Sequence, residues 1–403
     1  MTSVKYISIH SHLGRQSKPA TTFQQKQSPL LWYEEFAKFL RSVKFAPLWS
    51  DNCVFLHKET GAIIVIYVDD LLIISRSKKT VDAIARLLKR QFRMRELGDV
   101  SFFLGCRIVR NRTLRKLWLV QDAYIEQIVR KHHLTTVARV ETPIGSCHEL
   151  QKAPEGYSAT KNLKDRYQSL VGSLMWPAMQ TRPDVAFVVG LLARYLTNPT
   201  PQHWTAALQV LQYLCTTCTF GICFTGTDSM NLGLQAFSDS SFADDSDDRK
   251  STCGFVFMFA GGPVCWKSGR QPIVALSTTE AEYIAMTLAA KEAAAMRKLL
   301  NELLYLGEDH HTIVLHEDNL PAIDLLSRTS SDGRTKHIDV RYHYIRQEVE
   351  KGAIKVAKVK TCDQVADGLT KALDRDRFGR FRLQIGVVDC ASAIDGNQYE
   401  TVK

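Results

Sequence analysis

The chain has 403 residues, of which 45% are apolar and 23% charged. That balance excludes a fibrous, collagenous or wholly disordered polymer, and the length allows two or three domains of about 150 residues, enough to bury a core. Lysine and arginine exceed aspartate and glutamate by ten charges, so an anionic partner is expected, with nucleic acid the first class to consider.

Residues 1–28 are polar, rich in Ser, Gln and Lys, and read as a loose leader. From Pro29 onward Trp32, Phe36, Phe39 and Leu40 recur at helical spacing. Gly61 opens the run Ile63-Ile64-Val65-Ile66-Tyr67, which Val68-Asp69-Asp70 interrupts and Leu71-Leu72-Ile73-Ile74 resumes. β-branched residues on both sides of a two-carboxylate break predict a buried hairpin with the acids at its tip. Thr80 to Leu97 reads as an amphipathic helix with Val81, Ile84, Leu87, Leu88 and Phe92 inward. Its flanks and outer face carry Arg76, Lys78, Lys79, Arg86, Lys89, Arg90, Arg93 and Arg95, opposed by Asp82 and Glu96. A charge run is ordinarily a solvated face. One this one-sided beside a carboxylate hairpin points to phosphate contact, with Arg76, Lys78, Lys79, Lys89, Arg90 and Arg93 as candidate nucleic-acid-binding residues.

Residues 141–165 hold Pro143, Gly145, Pro154 and Gly156 with little periodicity and read as a linker. Residues 166–214 read as helical, interrupted at Pro177, Pro183, Pro199 and Pro201. Strands are predicted over 232–239, 252–260 and 263–268, then a long helix from Thr278 to Leu306. A strand over Thr312–Glu317, helices near 319–327 and 339–351, a strand over Ile354–Lys360 and a last helix over Asp363–Leu373 complete the order. Ten scattered cysteines are too sparse for a disulfide scaffold, and no signal segment is evident, so an intracellular setting, cytoplasmic or nuclear, is expected. Cys215-Thr-Thr-Cys218 lacks a second pair at zinc spacing. The apolar run 62–74 falls short of the ~20 residues a membrane span needs, so no membrane partner is expected.

Clustered carboxylates repel one another and stay ionised only with a counter-cation. Hard divalent cations prefer oxygen ligands, and phosphodiester chemistry often uses two of them. The C-terminal part offers an acid on each of four elements: Asp239 ending the first strand, Glu280 or Glu282 opening the long helix, Asp318 after the fourth strand, and Asp367 on the last helix. Glu280 and Glu282 lie about 200° apart around a helix, so one at most faces the others. Ser277 with Glu280 and Thr279 with Glu282 both have capping-box spacing, which leaves that choice open. Glu317 is expected to point away from the face of Asp318. The acidic run Asp244, Asp245, Asp247, Asp248 reads as a solvated turn.

Asp239, Glu282, Asp318 and Asp367, in a β-β-β-α-β order, resemble the four-carboxylate set of a ribonuclease H domain. More closely, the chain resembles the C-terminal part of a copia-type LTR retrotransposon Pol polyprotein. The segments that carry this are Tyr67-Val-Asp-Asp70, Leu97-Gly98 with Phe103-Leu-Gly105, Tyr167-Gln-Ser-Leu-Val-Gly-Ser-Leu-Met-Trp176, Thr181-Arg-Pro-Asp184, Ser251-Thr-Cys-Gly254, Ser277-Thr-Thr-Glu-Ala-Glu-Tyr283 and Lys336-His-Ile-Asp-Val-Arg-Tyr-His343. The resemblance selects Glu282 over Glu280. It reads Asp339 as part of a helix start, and His337 and His343 as structural.

It implies an α+β and α/β multidomain fold: a leader (1–28), a truncated reverse-transcriptase palm with the start of its thumb (29–150), a linker and helical connection (151–228), a ribonuclease H-like domain with a five-stranded mixed sheet flanked by helices (229–385), and a tail (386–403). The implied activity is hydrolysis of the RNA strand of RNA–DNA hybrids. Asp239, Glu282, Asp318 and Asp367 would be both catalytic and metal-binding residues for two Mg²⁺ or Mn²⁺ ions. Asp69 and Asp70 match two of the three polymerase carboxylates. The third is not matched: no aspartate precedes Asp51, Glu34 and Glu35 follow the template-side motif Lys26-Gln-Ser-Pro-Leu-Leu-Trp32, and Leu30 replaces the usual Arg. A half-palm unable to polymerise alone is expected. The loop Thr361-Cys362-Asp363 also lacks the His of cellular ribonucleases H. Two competing readings are a catalytically silent nucleic-acid-binding relic and an RNA-directed DNA polymerase completed by another chain.

Overall fold

A computed structural model describes residues 3–9, 22–134, 139–145, 150–226, 233–304, 312–327 and 344–394. The motif Lys336–His343, with His337 and Asp339, lies outside them. The chain divides into two compact units, Met1–Ser101 with Ala295–His310 and Phe102–Ala294 with His311–Lys403. The division falls inside the segment 29–150.

Unit 1 is built on an antiparallel sheet of β1 (Ser3–Ile9), β2 (Phe45–Pro47), β3 (Val54–His57), β4 (Ala62–Tyr67), β5 (Asp70–Ser75) and β6 (Met94–Asp99), ordered β2-β3-β4-β5-β1-β6. The expected carboxylate hairpin is β4–β5, with Tyr67 opposite Asp70. Val68 in its turn has φ 52°, a costly conformation for a β-branched residue. Ile64, Ile66, Leu71 and Ile73 are buried with Phe36 and Leu40 of α1 (Thr22–Ser42) and with Val81, Ile84 and Leu88 of α2 (Lys78–Gln91).

Three expectations are corrected here. Within the segment 1–28 expected as a loose leader, the described residues are ordered: Ser3–Ile9 is an interior strand and α1 begins at Thr22. Lys5 holds this strand in place through ion pairs to Asp82 (2.6 Å) and Glu96. The helix expected to Leu97 ends at Gln91, and Met94–Asp99 pairs with β1 instead. Leu87 is 37% exposed rather than inward.

Unit 2 holds two five-stranded sheets. The first joins β7 (Phe102–Phe103), β8 (Cys106–Asn111), β9 (Lys116–Val120), β10 (Phe220–Thr225) and β16 (Val387–Asp389) in the order β16-β10-β9-β8-β7. Residues expected as tail thus include a strand, with Val387 and Cys390 buried. Helices α3 (Asp122–Lys131), α4 (Lys161–Gln180), α5 (Ala186–Ala193) and α6 (Pro201–Thr216) form the helical core. Pro177 lies inside α4 rather than ending it. Pro201 occupies the first position of α6, where Thr200 and His203 complete a capping box. The linker is strapped down: Leu150 O accepts from the Tyr195 hydroxyl (2.6 Å) and Tyr157 O from Asn198 Nδ2 (3.0 Å).

The second sheet has β11 (Gln235–Ser241), β12 (Thr252–Phe259), β13 (Gly262–Arg270), β14 (Ile313–Glu317) and β15 (Ile354–Lys358) in the order β13-β12-β11-β14-β15. β11, β12 and β13 pair antiparallel, while β11–β14 and β14–β15 pair parallel. This is the five-stranded mixed sheet expected of the C-terminal domain. It is accompanied by the part of α7 (Thr278–Leu304) up to Ala294, and by α8 (Leu320–Ser327), α9 (344–350) and α10 (Arg375–Gln384). The helix expected over 363–373 is instead two 3₁₀ turns, Thr361–Asp363 and Asp367–Leu369, with α10 starting after Asp374 accepts from Arg377 N. A Cβ on Gly254 of β12 would meet Leu369 Cβ at 2.7 Å. Glycine at this position lets the turn carrying Asp367 lie directly on the sheet.

Candidate metal centre

Phe237 of β11 lies opposite His316 of the parallel β14. Two residues on, Asp239 and Asp318 leave adjacent strands at the same level and on the same face. Glu282, in the first turns of α7, completes the group: one carboxylate oxygen from each of Asp239, Glu282 and Asp318 lies within 4.8 Å of the other two. Asp239 and Glu282 are buried and Asp318 half-buried. Glu280 is separated from this group by its own bonds. Its carboxylate accepts from Leu276 N (2.7 Å), and its N–H donates to Ser277 Oγ (3.1 Å), so it caps the helix.

Asp367 is not within that group of three. It sits on the 3₁₀ turn beside it, tied through Lys371, whose Nζ lies 3.1 Å from Asp367 Oδ1 and 3.8 Å from Asp239 Oδ2. Arg377 Nη2 is 3.5 Å from the other Asp367 oxygen. The Thr370 hydroxyl donates to Asp239 Oδ2 and also to Asp367 O, which links the two aspartates through the backbone of one turn.

A fifth acid adds to the field. Glu317 points to the face opposite Asp318, as alternation expects, and accepts from Ser238 Oγ (3.0 Å) and Asn319 N (3.2 Å). It is fully buried. Burial raises the Glu282 and Glu317 carboxyls, and the Glu317 charge raises Glu282 further. Burial pushes Asp239 up to about 6; Asp367 and Asp318 add to that rise, and Lys371 and Thr370 oppose it. Sequence reading missed Glu317 because alternation gives the face of a side chain but not its depth. It also misread Asp245, while Asp244 stays exposed as expected. Asp244 accepts from Thr252 N and Oγ1, and Asp245 is buried between Arg194 and Arg270, each 3.0 Å away.

The donor set fits a hard divalent cation. It consists of carboxylate oxygens only, and Glu282 Oε2 is buried with no hydrogen-bond partner, an arrangement that costs free energy unless a ligand satisfies it. A pH dependence follows. The folded-state pKa of Asp239 is raised, so the unfolded chain binds fewer protons there, and cation-free stability falls as pH rises from about 4 to about 6. Cation binding requires the ionised form. The rise in Tm on adding Mg²⁺ is expected to be larger at about pH 7.5 than at about pH 5; thermal unfolding with and without Mg²⁺ checks this, and equal rises at both would contradict it.

In unit 1, Asp69 and Asp70 lie at the β4–β5 tip. Asp70 accepts from the Tyr6 hydroxyl (2.6 Å), and the residue opposite it on β1 is Ser8. β1 carries no carboxylate. Arg76, Lys78, Lys79, Lys89, Arg90 and Arg93 are all exposed, with Lys89 paired to Glu96.

Residues 18–146 match the family model described as reverse transcriptase (RNA-dependent DNA polymerase). The chain is 39% identical over 368 residues to a retrovirus-related Pol polyprotein from transposon TNT 1-94 of Nicotiana tabacum, covering 90% of this chain and 27% of that protein. It is 36% identical over 380 residues to the Pol polyprotein from transposon RE2 of Arabidopsis thaliana, covering 92% and 25%. A transposon Ty5-1 protein of Saccharomyces cerevisiae is 33% identical over 64% of this chain and 83% of its own length. The chain thus spans about a quarter of the two plant polyproteins. A ribonuclease H1 crystal structure from Halobacterium salinarum NRC-1 aligns with 34% of this chain and 93% of its own, at 21% identity and a TM-score of 0.25. Among the described residues, no helix is long and apolar enough to cross a membrane.

Proposed function

This chain belongs to the Pol polyprotein family of copia-type LTR retrotransposons, and we propose that its C-terminal domain hydrolyses the RNA strand of RNA–DNA hybrids. The observation that carries this is the convergence of Asp239, Glu282 and Asp318 around a buried, unbonded Glu282 oxygen, with Asp367 alongside. Asp239 and Asp318 would be the inner ligands of two divalent cations, Mg²⁺ or Mn²⁺, and Glu282 and Asp367 would complete the two shells. When bound, such cations activate water and stabilise the leaving 3′ oxygen. The residues of the chain hold these oxygens in place: strand register sets Asp239 and Asp318, the first turns of α7 set Glu282, and the Gly254–Leu369 contact seats the Asp367 turn. Exposed basic side chains would grip the phosphates, and the 2′-hydroxyl would distinguish the RNA strand.

The test is degradation of a labelled RNA–DNA hybrid by the purified chain in Mg²⁺. Cutting of the RNA strand alone, abolished by a chelator, is expected. Tight hybrid binding with no cleavage would favour the silent relic.

The reverse-transcriptase unit is expected to add no nucleotides to a primer on an RNA template. Cations that serve phosphoryl transfer must be held from both sides of the reacting groups. Asp69 and Asp70 supply one side, while β1, which pairs with β5 beside them, carries no carboxylate to supply the other. Template-dependent extension that is lost on Asp69→Asn would overturn this and support a polymerase completed from elsewhere in the fold.

A further inference from the structure

Lys371 follows directly on the turn that carries Asp367, and its side chain is 37% exposed. Its ammonium lies 3.1 Å from Asp367 Oδ1 and 3.8 Å from Asp239 Oδ2. Those are carboxylate oxygens that a cation between Asp239 and Asp367 would draw on. A divalent cation approaches carboxylate oxygen to about 2.0–2.6 Å. Seated there it would lie within a few ångströms of the ammonium, where two positive charges repel strongly in a partly desolvated cleft. Both cannot remain. The four-carbon stem of a lysine is flexible and its charge is readily hydrated, so the lysine is the partner able to leave.

The other half of the centre differs. Glu282 Oε2, on the Asp239–Glu282–Asp318 side, makes no hydrogen bond, so a cation there need break none to reach it. Asp367 Oδ1 likewise makes no hydrogen bond, but Asp367 differs in being flanked by two cationic side chains, Lys371 and Arg377.

We propose that Lys371 is a built-in counter-cation that occupies the Asp239–Asp367 half of the centre until a divalent cation displaces it, so that the two halves load with unequal affinity. The cation-free protein thereby avoids leaving Asp239 and Asp367 charged and unopposed. The Asp239–Glu282–Asp318 half fills first, and the second half fills only at higher cation concentration. This rests on the two-metal reading above and adds to it an order of loading set by one side chain.

The test uses Mn²⁺ as the probe, with the full chain and no nucleic acid, followed by titration calorimetry and thermal unfolding. The wild type is expected to show one tight and one weak binding event. In Lys371→Met the weak event should tighten about tenfold or more, about 1.4 kcal/mol, while the tight event stays within about twofold. The cation-free Tm of that variant should fall, and saturating Mn²⁺ should restore it. Lys371→Arg keeps the charge and should keep the weak event. Where Lys371→Met does not fold, Lys371→Gln supplies the same neutral comparison. Two binding events with wild-type affinities in the neutral variants would overturn the role of Lys371 and leave the two-metal reading standing. Absence of any Mn²⁺ binding in wild type and variants would overturn the metal centre itself, and the proposal with it.

Discussion

Asp239→Asn is expected to abolish hybrid cleavage while leaving hybrid binding without metal within a few-fold of wild type. Asp239 would be the residue shared by both halves of the proposed centre: it belongs to the 4.8 Å group with Glu282 and Asp318, and its Oδ2 faces Lys371 beside Asp367. Asparagine has the same shape and its amide oxygen can still accept from Thr370, so the strand end and the Asp367 turn keep their connection. What disappears is the charge that makes the oxygen a ligand for a hard cation. Losing a stabilisation of several kcal/mol corresponds to on the order of a thousandfold in rate or more. Phosphate affinity comes from basic side chains and should persist.

Stability moves in the opposite direction from activity. The wild-type carboxyl is pushed up to about 6 by burial, so above that pH the folded protein carries an ionised group in an unfavourable environment. The neutral amide removes that cost, and cation-free Asp239→Asn should unfold at a higher temperature than wild type at neutral pH. Hybrid cleavage, hybrid binding and thermal unfolding measured on the one variant distinguish the roles. Full activity would refute the assignment. A large loss of metal-free binding together with a lower Tm would make Asp239 a structural residue.

The carboxylate cluster was legible because its chemistry and its register coincide. Three short β-branched or aromatic strands, a long helix opened by acids and a fourth strand ending in Glu317-Asp318 are local features, and parallel register then sets Asp239 level with Asp318. Glu280 and Glu282 could not be separated by spacing, since both have a capping partner; the three-dimensional answer lies in the Leu276 N–H, which only Glu280 takes. Elements stabilised mainly by distant partners were missed. Ser3–Ile9 is a seven-residue strand whose stability comes from β5, from β6 and from the Lys5 ion pairs, none of which is local. Met94–Asp99 carries Arg95, Glu96 and Asp99 and continues the charge pattern of α2, so it reads as more helix until pairing with β1 decides otherwise. Asp245 looks solvated by composition, because the arginines that bury it, Arg194 and Arg270, are 51 and 25 residues away.

Arg182→Met is expected to destabilise unit 2 by about 3–5 kcal/mol, the cost of leaving a buried carboxylate without its partner. Arg182 is fully buried and Asp184 nearly so. The guanidinium donates to both Asp184 oxygens, from Nε at 3.0 Å and Nη2 at 2.9 Å, and to Thr217 O and Oγ1 at 2.9 and 2.8 Å. The Tyr213 hydroxyl donates to Asp184 Oδ2 at 2.6 Å. One planar cation therefore pins the end of α4, the 3₁₀ turn Pro183–Val185, α6 and the loop entering β10. Lysine has no fork to satisfy four acceptors at fixed angles, so Arg182→Lys should recover only part of the loss. The double variant Arg182→Met with Asp184→Leu removes both charges and should be more stable than Arg182→Met alone, because the uncompensated acid rather than the missing ion pair carries most of the cost. Chemical denaturation of the three variants checks the order. Equal stability of Arg182→Met and wild type would show that Asp184 finds another partner or takes up a proton at little cost, and the Thr181-Arg-Pro-Asp184 segment would then need a role outside the core.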